Sequence, residues 1–358
     1  FQKSFEDLIQ RHEILRTSFI TVEGQPRQKV LNKVEFHIEE IDLRVDKETI
    51  PENGLLKQHA EQEAQTPFDL GKAPLLRVKL LHISETRYLL LSTIHHIIAD
   101  GWSLDVLAGE LSSLYKSHAF NEHNHLETLP LQYKDYTAWH NELLESEGIR
   151  ADREYWHSKL SGEIPVLDIP TDYTRPPVQT YQGSIHLFQI SEALTEGLNA
   201  LNSRYGVSLF MSLMALVKVL FYRYTGQEDI IIGAPIAGRQ HRELDGQVGF
   251  YVNTLVLRDV ISGEDCFVEV LDKIKRTATE AYDHQIYPFD RLVEELDLRR
   301  DLSRSPLFDV LLVLQNKQET QFELPGVTIT PFEYSTTISK FDLTWYFTET
   351  ENVIQVGI

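Results

Sequence analysis

Apolar residues recur at helical spacing in much of the chain. Near the start they fall three or four positions apart, at Phe5, Leu8, Ile9, His12 and Leu15. Residues 1–15 are therefore predicted to form a helix with one buried face. Further helices are predicted at residues 55–64, 102–118, 131–144, 149–160, 192–204, 208–224 and 264–282. Ser208 precedes the most apolar of these helices and is a suitable N-cap.

Other segments have the alternating or continuous apolar pattern of strands. Residues 17–22 and 28–30 flank the turn-forming residues 23–26 and predict a hairpin, and residues 75–83 and 87–94 predict a second one. Single strands are predicted at residues 34–41, 184–190, 229–233, 250–258, 307–314 and 341–347. Residues 88–94 are almost wholly apolar, which is typical of a strand covered on both faces.

Residues 161–183 differ from both neighbouring segments, since they contain four prolines and two glycines. Proline fixes φ and cannot donate to a sheet ladder, so this segment is predicted to be a linker or a covering loop. We expect an α/β protein with an N-terminal lobe at residues 1–160, the linker at 161–183 and a C-terminal lobe at 184–358. A length of 358 residues fits two domains. The chain begins inside an amphipathic pattern, so it is expected to be cut from a longer protein.

The charge of the chain argues against polyanionic partners. Lys and Arg total 34 and Asp and Glu total 54, which gives a net charge of −20. A surface this negative repels phosphate, so neither nucleic acid nor a membrane is an expected partner. The single cysteine, Cys266, has no internal disulfide partner, and we expect it to be structural. A reducing, cytoplasmic location is the expectation.

The segment that follows the apolar strand is the strongest candidate for chemistry, with the sequence HHIIADGWS at residues 95–103. Successive strand side chains point to opposite faces, so only one of His95 and His96 can face a given cavity. A neutral imidazole is available as a base at pH 7, and Gly101 leaves its backbone N–H unshielded. These properties suit acyl transfer. The structural alternative is a pair of buried histidines and an N-cap at Asp100.

Seven motifs occur in order along the chain. An HHxxxDG core lies at residues 95–101. The other six motifs are RHEILRTSF at 11–19, YKDYTAW at 133–139, IGAPIAGR at 232–239, VGFYVNT at 248–254, HQIYPF at 284–289 and RDLSRSPLF at 300–308. With these motifs the chain resembles the condensation domain of non-ribosomal peptide synthetases, in the chloramphenicol-acetyltransferase-like superfamily. The family's opening motif and last segment would lie before Phe1 and after Ile358, so both ends are expected to be truncated.

The resemblance implies a fold and a reaction. The fold is α/β with mixed sheets, in two acetyltransferase-like lobes that form a V with a tunnel between them. An upstream and a downstream peptidyl carrier protein would each insert a phosphopantetheine arm, and the domain would have no cofactor of its own. The aminoacyl amine of the acceptor would attack the thioester of the donor and form an amide. A neighbouring adenylation domain in the same synthetase is a further expected partner.

The resemblance also assigns roles to residues. We expect His96 to orient the amine and accept its proton, and His95 to support it from behind. The N–H of Gly101 is the candidate donor to the thioester carbonyl. Asp100 is expected to form a structural ion pair with Arg239. These assignments make His96, His95, Asp100 and Gly101 the predicted catalytic group.

Two further residues carry open alternatives. Asn253 either hydrogen-bonds an intermediate in the tunnel or caps its own backbone at the end of a strand. Trp102 is expected to pack rather than to contact substrate. A metal is not expected, because adjacent strand histidines diverge and no HExxH spacing occurs. Residues 233–239 have the glycine spacing of a P-loop but lack its Lys-Ser/Thr.

Three other functions remain as alternatives. One is an acyltransferase that uses coenzyme A thioesters. Another is an epimerising relative, against which Gly101 argues. The third is an inert docking module, which typically loses the histidines. The sequence after the core motif, WSLDVLAGEL, favours an L-configured donor.

Overall fold

The computed structural model describes residues 1–44, 52–298, 301–315, 322–332 and 338–358. Packing divides the chain into two compact units that are interleaved in sequence. Unit 1 consists of Phe1–Glu142, Arg239–Tyr251 and Glu319–Tyr334. Unit 2 consists of Leu143–Gly238, Val252–Gln318 and Ser335–Ile358.

These units differ from the predicted lobes in three ways. Residues 322–332, placed in the C-terminal lobe by the sequence, belong to unit 1. Residues 143–160, placed in the N-terminal lobe by the sequence, pack with unit 2, where Trp156 is a core residue. Residues 239–251, placed in the C-terminal lobe, pack with unit 1, where Val248 is a core residue. Long-range packing of these apolar side chains decides their unit, and no local composition change marks it.

Unit 1 contains two small sheets and most of four helices. The helices are α1 (Gln2–Arg11), α2 (Glu52–Gln65), α3 (Gly101–Phe120) and α4 (Tyr133–Leu144), and α4 ends just inside unit 2. The strands are β1 (Thr17–Val22), β2 (Gln25–Val30), β3 (Glu39–Asp42), β4 (Leu76–His82) and β5 (Tyr88–Ile94). β1 and β2 form an antiparallel hairpin. β3 is parallel to β4, and β4 is antiparallel to β5.

The first hairpin has a tighter turn than the sequence predicts. Glu23 and Gly24 have φ of 51° and 76°, and the strands pair up to Val22 and Gln25. A two-residue turn with both φ positive matches the right-handed twist of the flanking strands. β2 therefore begins at Gln25 and includes Pro26. Proline is tolerated here because each strand of a two-stranded sheet has one edge without ladder hydrogen bonds, where the missing N–H interrupts nothing.

The strand predicted at residues 34–41 is wrong for its first half, because only β3 forms. The amide of Gln2 donates to the carbonyl of Phe36 and accepts from the N–H of Ile38. This side chain satisfies backbone groups that a strand would pair with a neighbour. The ring of Phe36 stacks on Phe5 of α1 in the core.

The prediction that residues 88–94 are covered on both faces is also wrong. Only Leu89 in β5 is buried, while Tyr88 and Ser92 are exposed. β5 is the last strand in the order β3-β4-β5. Its continuous apolar sequence therefore belongs to an edge strand whose two faces are each only partly covered.

Unit 2 is built on one six-stranded mixed sheet. Its strands are β6 (Leu187–Ile190), β7 (Asp229–Ile236), β8 (Asn253–Val260), β9 (Val310–Gln315), β10 (Leu343–Glu349) and β11 (Ile354–Gly357). They lie in the order β6-β11-β10-β9-β7-β8, with β9 parallel to both β10 and β7. The helices are α5 (Arg150–Lys159), α6 (Glu192–Tyr205), α7 (Leu209–Thr225), α8 (Phe267–Asp283) and α9 (Phe289–Glu295). The predicted α/β class with mixed sheets is confirmed.

Local signals account for several boundaries in unit 2. The hydroxyl of Ser208 accepts the N–H of Met211, so the predicted cap of α7 is confirmed. Cys266 is exposed at the N-cap of α8 and shares a capping box with Glu269. The proline-rich segment covers unit 2, since Leu167 is buried in its core. The sequence did not predict α9 or β11, which are short.

Within the described ranges, no single helix has the length and apolar composition of a membrane span. The bent pair α6 and α7 passes that test of length and composition when taken together, with an angle of 108° between the two helices.

Candidate active site

The predicted site begins where β5 ends, in unit 1. After Ile94 the chain makes a short 3-10 turn, His96–Ile98, and α3 then starts at Gly101. The Nδ1 atom of His95 accepts the backbone N–H of Ile97 at 3.0 Å. This bond caps the turn and fixes the ring of His95 against the backbone. The turn therefore separates the two histidines.

The two imidazoles have different surroundings. His95 is half-buried, and its ring lies edge-on to Phe68 with 5.8 Å between the centroids. Burial lowers the pKa of His95, and the neighbouring charge of His96 lowers it further. Since Nδ1 accepts a hydrogen bond, a neutral His95 carries its proton on Nε2. The ring of His95 is thus fixed by its bond to the backbone of the turn.

His96 is exposed, and its ring lies edge-on to Phe250 with 5.1 Å between the centroids. Within the described residues its imidazole makes no hydrogen bond and no ion pair. Both ring nitrogens are therefore available to a ligand. Of the two histidines, His96 is the exposed one.

Asp100 is buried and its carboxylate is fully occupied. Oδ1 accepts from the N–H and the hydroxyl of Ser103, at 2.8 and 2.7 Å, and Oδ2 accepts the N–H of Tyr251 at 3.0 Å. Arg239 completes the set, with Nη2 at 3.3 Å from Oδ1. The side chain is thus the N-cap of α3 and one half of the expected ion pair at the same time. Among the described residues it contacts neither histidine ring, so the geometry gives no support to a Ser-His-Asp type relay.

Arg239 joins this carboxylate to the segment Arg239–Tyr251. Its side chain is 1% exposed. Nη1 donates to the carbonyls of Leu244 and Gln247, and Nη2 also donates to the hydroxyl of Ser103 at 2.9 Å. The guanidinium lies over the ring of Tyr251, 4.1 Å from its centroid. Arg239 therefore holds its own segment in shape and ties it to the start of α3.

The backbone of residues 249–251 is hydrogen-bonded by side chains of α3 and α4, and we call this arrangement the clamp. On α3, the hydroxyl oxygen of Ser103 accepts the N–H of Gly249 at 3.1 Å, and its one proton is shared between the carbonyl of Gly249, at 2.8 Å, and Oδ1 of Asp100. On α4, the hydroxyl of Tyr133 donates to the carbonyl of Phe250 at 2.8 Å. A Cβ at Gly249 would lie 2.1 Å from the ring of Tyr133, so only glycine fits there. The clamp consists of Ser103, Tyr133 and residues 249–251.

Ser103 and Tyr133 were not among the functional residues predicted from the sequence. Both lie inside motifs that carried the resemblance, at 95–103 and 133–139. That pairing of motifs was the available signal, but no sequence pattern shows that these two side chains bond the same three-residue segment.

Gly101 and Trp102 open α3. Gly101 is exposed, and a Cβ there would meet nothing within 4 Å. Its N–H belongs to the first turn, whose donors have no partner inside the helix. The indole of Trp102 is 39% exposed and donates to the carbonyl of Asp245 at 2.9 Å. Trp102 thus fastens the segment Arg239–Tyr251 at a second point.

Asn253 lies in unit 2, at the start of β8. Its Nδ2 donates to the carbonyls of Gln285 and Tyr287, at 2.9 and 2.7 Å, and its Oδ1 accepts from the N–H groups of Phe289 and Thr254. A side-chain amide has two donors and two acceptor positions, so all four are in use. This geometry does not support the expectation that Asn253 hydrogen-bonds an intermediate. It gives Asn253 the role of holding the loop before α9.

The fold and the site define a class of protein. The chain superposes on the X-domain from teicoplanin biosynthesis with a TM-score of 0.88 and 23% identity, covering 99% of this chain and 80% of that one. It superposes on the condensation domain of Monacolin K polyketide synthase with a TM-score of 0.83 and 20% identity, covering 100% and 82%. The fold is the chloramphenicol-acetyltransferase-like fold of condensation domains.

The chain belongs to the condensation-domain family, whose model matches residues 1–358. It is 41% identical over 358 residues to Bacitracin synthase 3 from Bacillus licheniformis, and 40% identical over 353 residues to Gramicidin S synthase 2 from Brevibacillus brevis. These alignments cover 100% and 99% of this chain. The chain spans only 5% and 8% of the length of those two relatives.

Proposed function

We propose that this chain is a catalytically active condensation domain of a non-ribosomal peptide synthetase. It forms an amide by attack of a carrier-bound aminoacyl amine on a carrier-bound acyl or peptidyl thioester. The observation that carries this proposal is the contrast within residues 95–101. His95 and Asp100 bond to the protein itself, while His96 is exposed with both ring nitrogens available.

The energetics favour a positioning role and a late proton transfer for His96. An α-amino group titrates near ~7.7–8.0, so about a tenth of it is neutral at pH 7, and completing its deprotonation costs roughly 1.4 kcal/mol. Holding two tethered reactants in attack geometry can contribute ~7–11 kcal/mol. Initial deprotonation is therefore a small part of the barrier. Positioning of the amine is the larger part.

Because positioning outweighs initial deprotonation, we propose that the amine attacks first and loses its proton afterwards. The nitrogen lone pair attacks the thioester carbonyl and forms the C–N bond, and the nitrogen then becomes strongly acidic. His96 accepts its proton. The C–S bond breaks, and its electron pair leaves with the sulfur, which takes up a proton as the free thiol of the donor arm.

The start of α3 supplies the complementary charge. The first N–H groups of a helix point out of it and carry a partial positive charge. The exposed N–H of Gly101 is our candidate donor to the carbonyl oxygen as negative charge develops on it. Apart from its own helix backbone and chain neighbours, no described residue has an atom within 4 Å of a Cβ at this position, which leaves space for a substrate to approach.

The partners follow from the resemblance and from the names of the relatives. We propose an upstream and a downstream carrier protein, whose phosphopantetheine arms deliver the two substrates to His96, and an adenylation domain in the same cytoplasmic synthetase. The domain needs no cofactor of its own for the steps above. An L-configured donor is proposed from residues 102–111.

The test presents loaded carrier proteins to the wild-type domain and to His96→Ala, and detects dipeptidyl thioester by intact mass. His123→Ala, at an exposed histidine of unit 1 after α3, is the matched control. We expect product from the wild type and the control, and a strong loss in His96→Ala.

Each alternative predicts a different result. Near-normal product from His96→Ala at saturating substrate would rule out the role of that residue. Carrier binding without product in the wild type would identify an inert docking module. Product from a coenzyme A thioester would identify a coenzyme A-dependent acyltransferase. Inversion of the configuration of the donor would identify an epimerising relative. Equal rates with L and D donors would contradict the stereochemical proposal.

A further inference from the structure

His96 lacks the support that usually orients a catalytic histidine. In acyl-transfer sites a second polar group commonly bonds the other ring nitrogen and fixes the imidazole. Among the described residues His96 has no such partner. The contact recorded for its ring is with Phe250, at a centroid distance of 5.1 Å and an interplanar angle of 76°. This is the edge-to-face arrangement that aromatic pairs prefer.

Phe250 is itself held from its backbone and not from its ring. The ring is 37% exposed. The carbonyl of Phe250 accepts the hydroxyl of Tyr133, and burial raises the pKa of that hydroxyl, which keeps it protonated as a donor. The residues on both sides are fixed as well, Gly249 by Ser103 and Tyr251 by Asp100. The clamp thus fixes the point from which the ring projects.

We propose that Phe250 is a positioning residue for His96, which sets the orientation of the imidazole by an edge-to-face ring contact. Because the clamp fixes the backbone of Phe250 to α3 and α4, it indirectly holds the imidazole of His96, which has no other support among the described residues. This inference rests on the proposed function for its effect on turnover. The contact itself is testable in the substrate-free protein.

The experiment compares Phe250→Leu with Phe250→Tyr. Leucine keeps an apolar side chain but removes the aromatic edge and face, whereas tyrosine keeps both. Side-chain NMR of the histidine-labelled 358-residue chain reports on the imidazole of His96, and its signals are assigned from the spectrum of His96→Ala. Peptide-bond formation is measured with loaded carriers at saturating acceptor.

The matched control is Tyr88→Leu. Tyr88 and His82 form a second edge-to-face pair in unit 1, with 4.8 Å between centroids, near the turn of the β4–β5 hairpin. Tyr88 is 50% exposed, so its loss removes an aromatic–histidine contact of the same type from another place on the surface.

We expect Phe250→Leu to shift and broaden the signals of His96 and to lower the maximal rate by about 10- to 100-fold, the range for a misplaced catalytic group. Phe250→Tyr should keep the His96 signals and the maximal rate close to those of the wild type, and Tyr88→Leu should change neither quantity. Tyr133→Phe, which loses the hydroxyl that holds Phe250, should shift the His96 signals in the same direction as Phe250→Leu.

Two results would overturn the inference. One is an unchanged His96 spectrum in Phe250→Leu. The other is a maximal rate that falls as much in Phe250→Tyr as it does in Phe250→Leu. Because the NMR arm needs no substrate, an inactive wild-type domain would refute the proposed function while still deciding the ring contact.

Discussion

Replacing Asp100 by asparagine is expected to destabilise the fold rather than to remove a chemical step. Oδ1 accepts from three donors and Oδ2 accepts only the N–H of Tyr251. The amide oxygen of an asparagine will therefore take the position of Oδ1. Its NH2 group will then face the N–H of Tyr251, and two donors will meet in a buried place.

This variant has two overlapping costs, of which the second is the larger and sets the expected loss. A buried N–H without a partner costs about 1–3 kcal/mol. The loss of charge also leaves the guanidinium of Arg239, which is 1% exposed, without its counter-ion. Breaking a buried ion pair from one side costs about 3–5 kcal/mol, and we expect the free energy of unfolding to fall by about that amount.

Urea unfolding followed by tryptophan fluorescence measures the effect in Asp100→Asn, in Arg239→Gln and in the double variant. The double variant should lose less stability than the two single losses together, because it leaves no lone buried charge. The control is Asp42→Asn, which breaks the exposed pair with Arg44 and should leave the urea midpoint close to that of the wild type. An Asp100→Asn protein with the wild-type midpoint and no turnover would refute the structural role of this pair.

Three further predictions concern packing, acid stability and the loop before α9. Gly249→Ala should cost about 1–3 kcal/mol in urea unfolding, because its Cβ would lie 2.1 Å from the ring of Tyr133. Burial raises the pKa of Glu295, but hydrogen bonds from His157, Tyr287 and Arg153 outweigh it and hold the pKa at about 2. Glu295→Gln should therefore flatten the fall in melting temperature between pH 4.5, the usual pKa of the carboxyl, and pH 2. Asn253→Asp loses two donors to backbone carbonyls and should cost about 2–3 kcal/mol in urea unfolding.

The sign of the acid effect follows from the depressed pKa. Glu295 contributes its full stabilisation above pH 4.5 and loses it as the pH falls toward 2, so an unchanged slope in Glu295→Gln would contradict this assignment. Gly246→Ala is the control for Gly249, since a Cβ there meets nothing within 4 Å. Equal stability of these two alanine variants would argue against the clamp. A wild-type midpoint in Asn253→Asp would show that its amide does not hold the loop.

Local signals in the sequence predicted most elements of the fold. The cap at Ser208 and the hairpin of β4 and β5 depend on neighbouring residues, and both are present. At residues 34–38, where the sequence wrongly predicted a strand, a distant side chain was responsible. The backbone groups of residues 36 and 38 bond the side chain of Gln2, and these two residues are not part of a strand.

The candidate site shows the same limit. The motif at residues 95–101 predicted the N-cap at Asp100 because capping is a local property, whereas the two histidines are separated by the turn after β5 and not by strand alternation. The four bonds that fill the amide of Asn253 involve a loop more than thirty residues away as well as Thr254, and no spacing rule reveals them. The grip of Ser103 on Gly249 spans 146 positions in the chain and was equally hidden.

The interleaving of the two units limits how such domains can be recombined. A chimera with its crossover point in residues 161–183 takes α3 and α4 from one parent and the segment Arg239–Tyr251 from the other. Asp100 and Ser103 of the first parent must then receive Arg239 and Gly249 of the second. Parents that differ at these positions are incompatible at this junction, however well their separate halves fold.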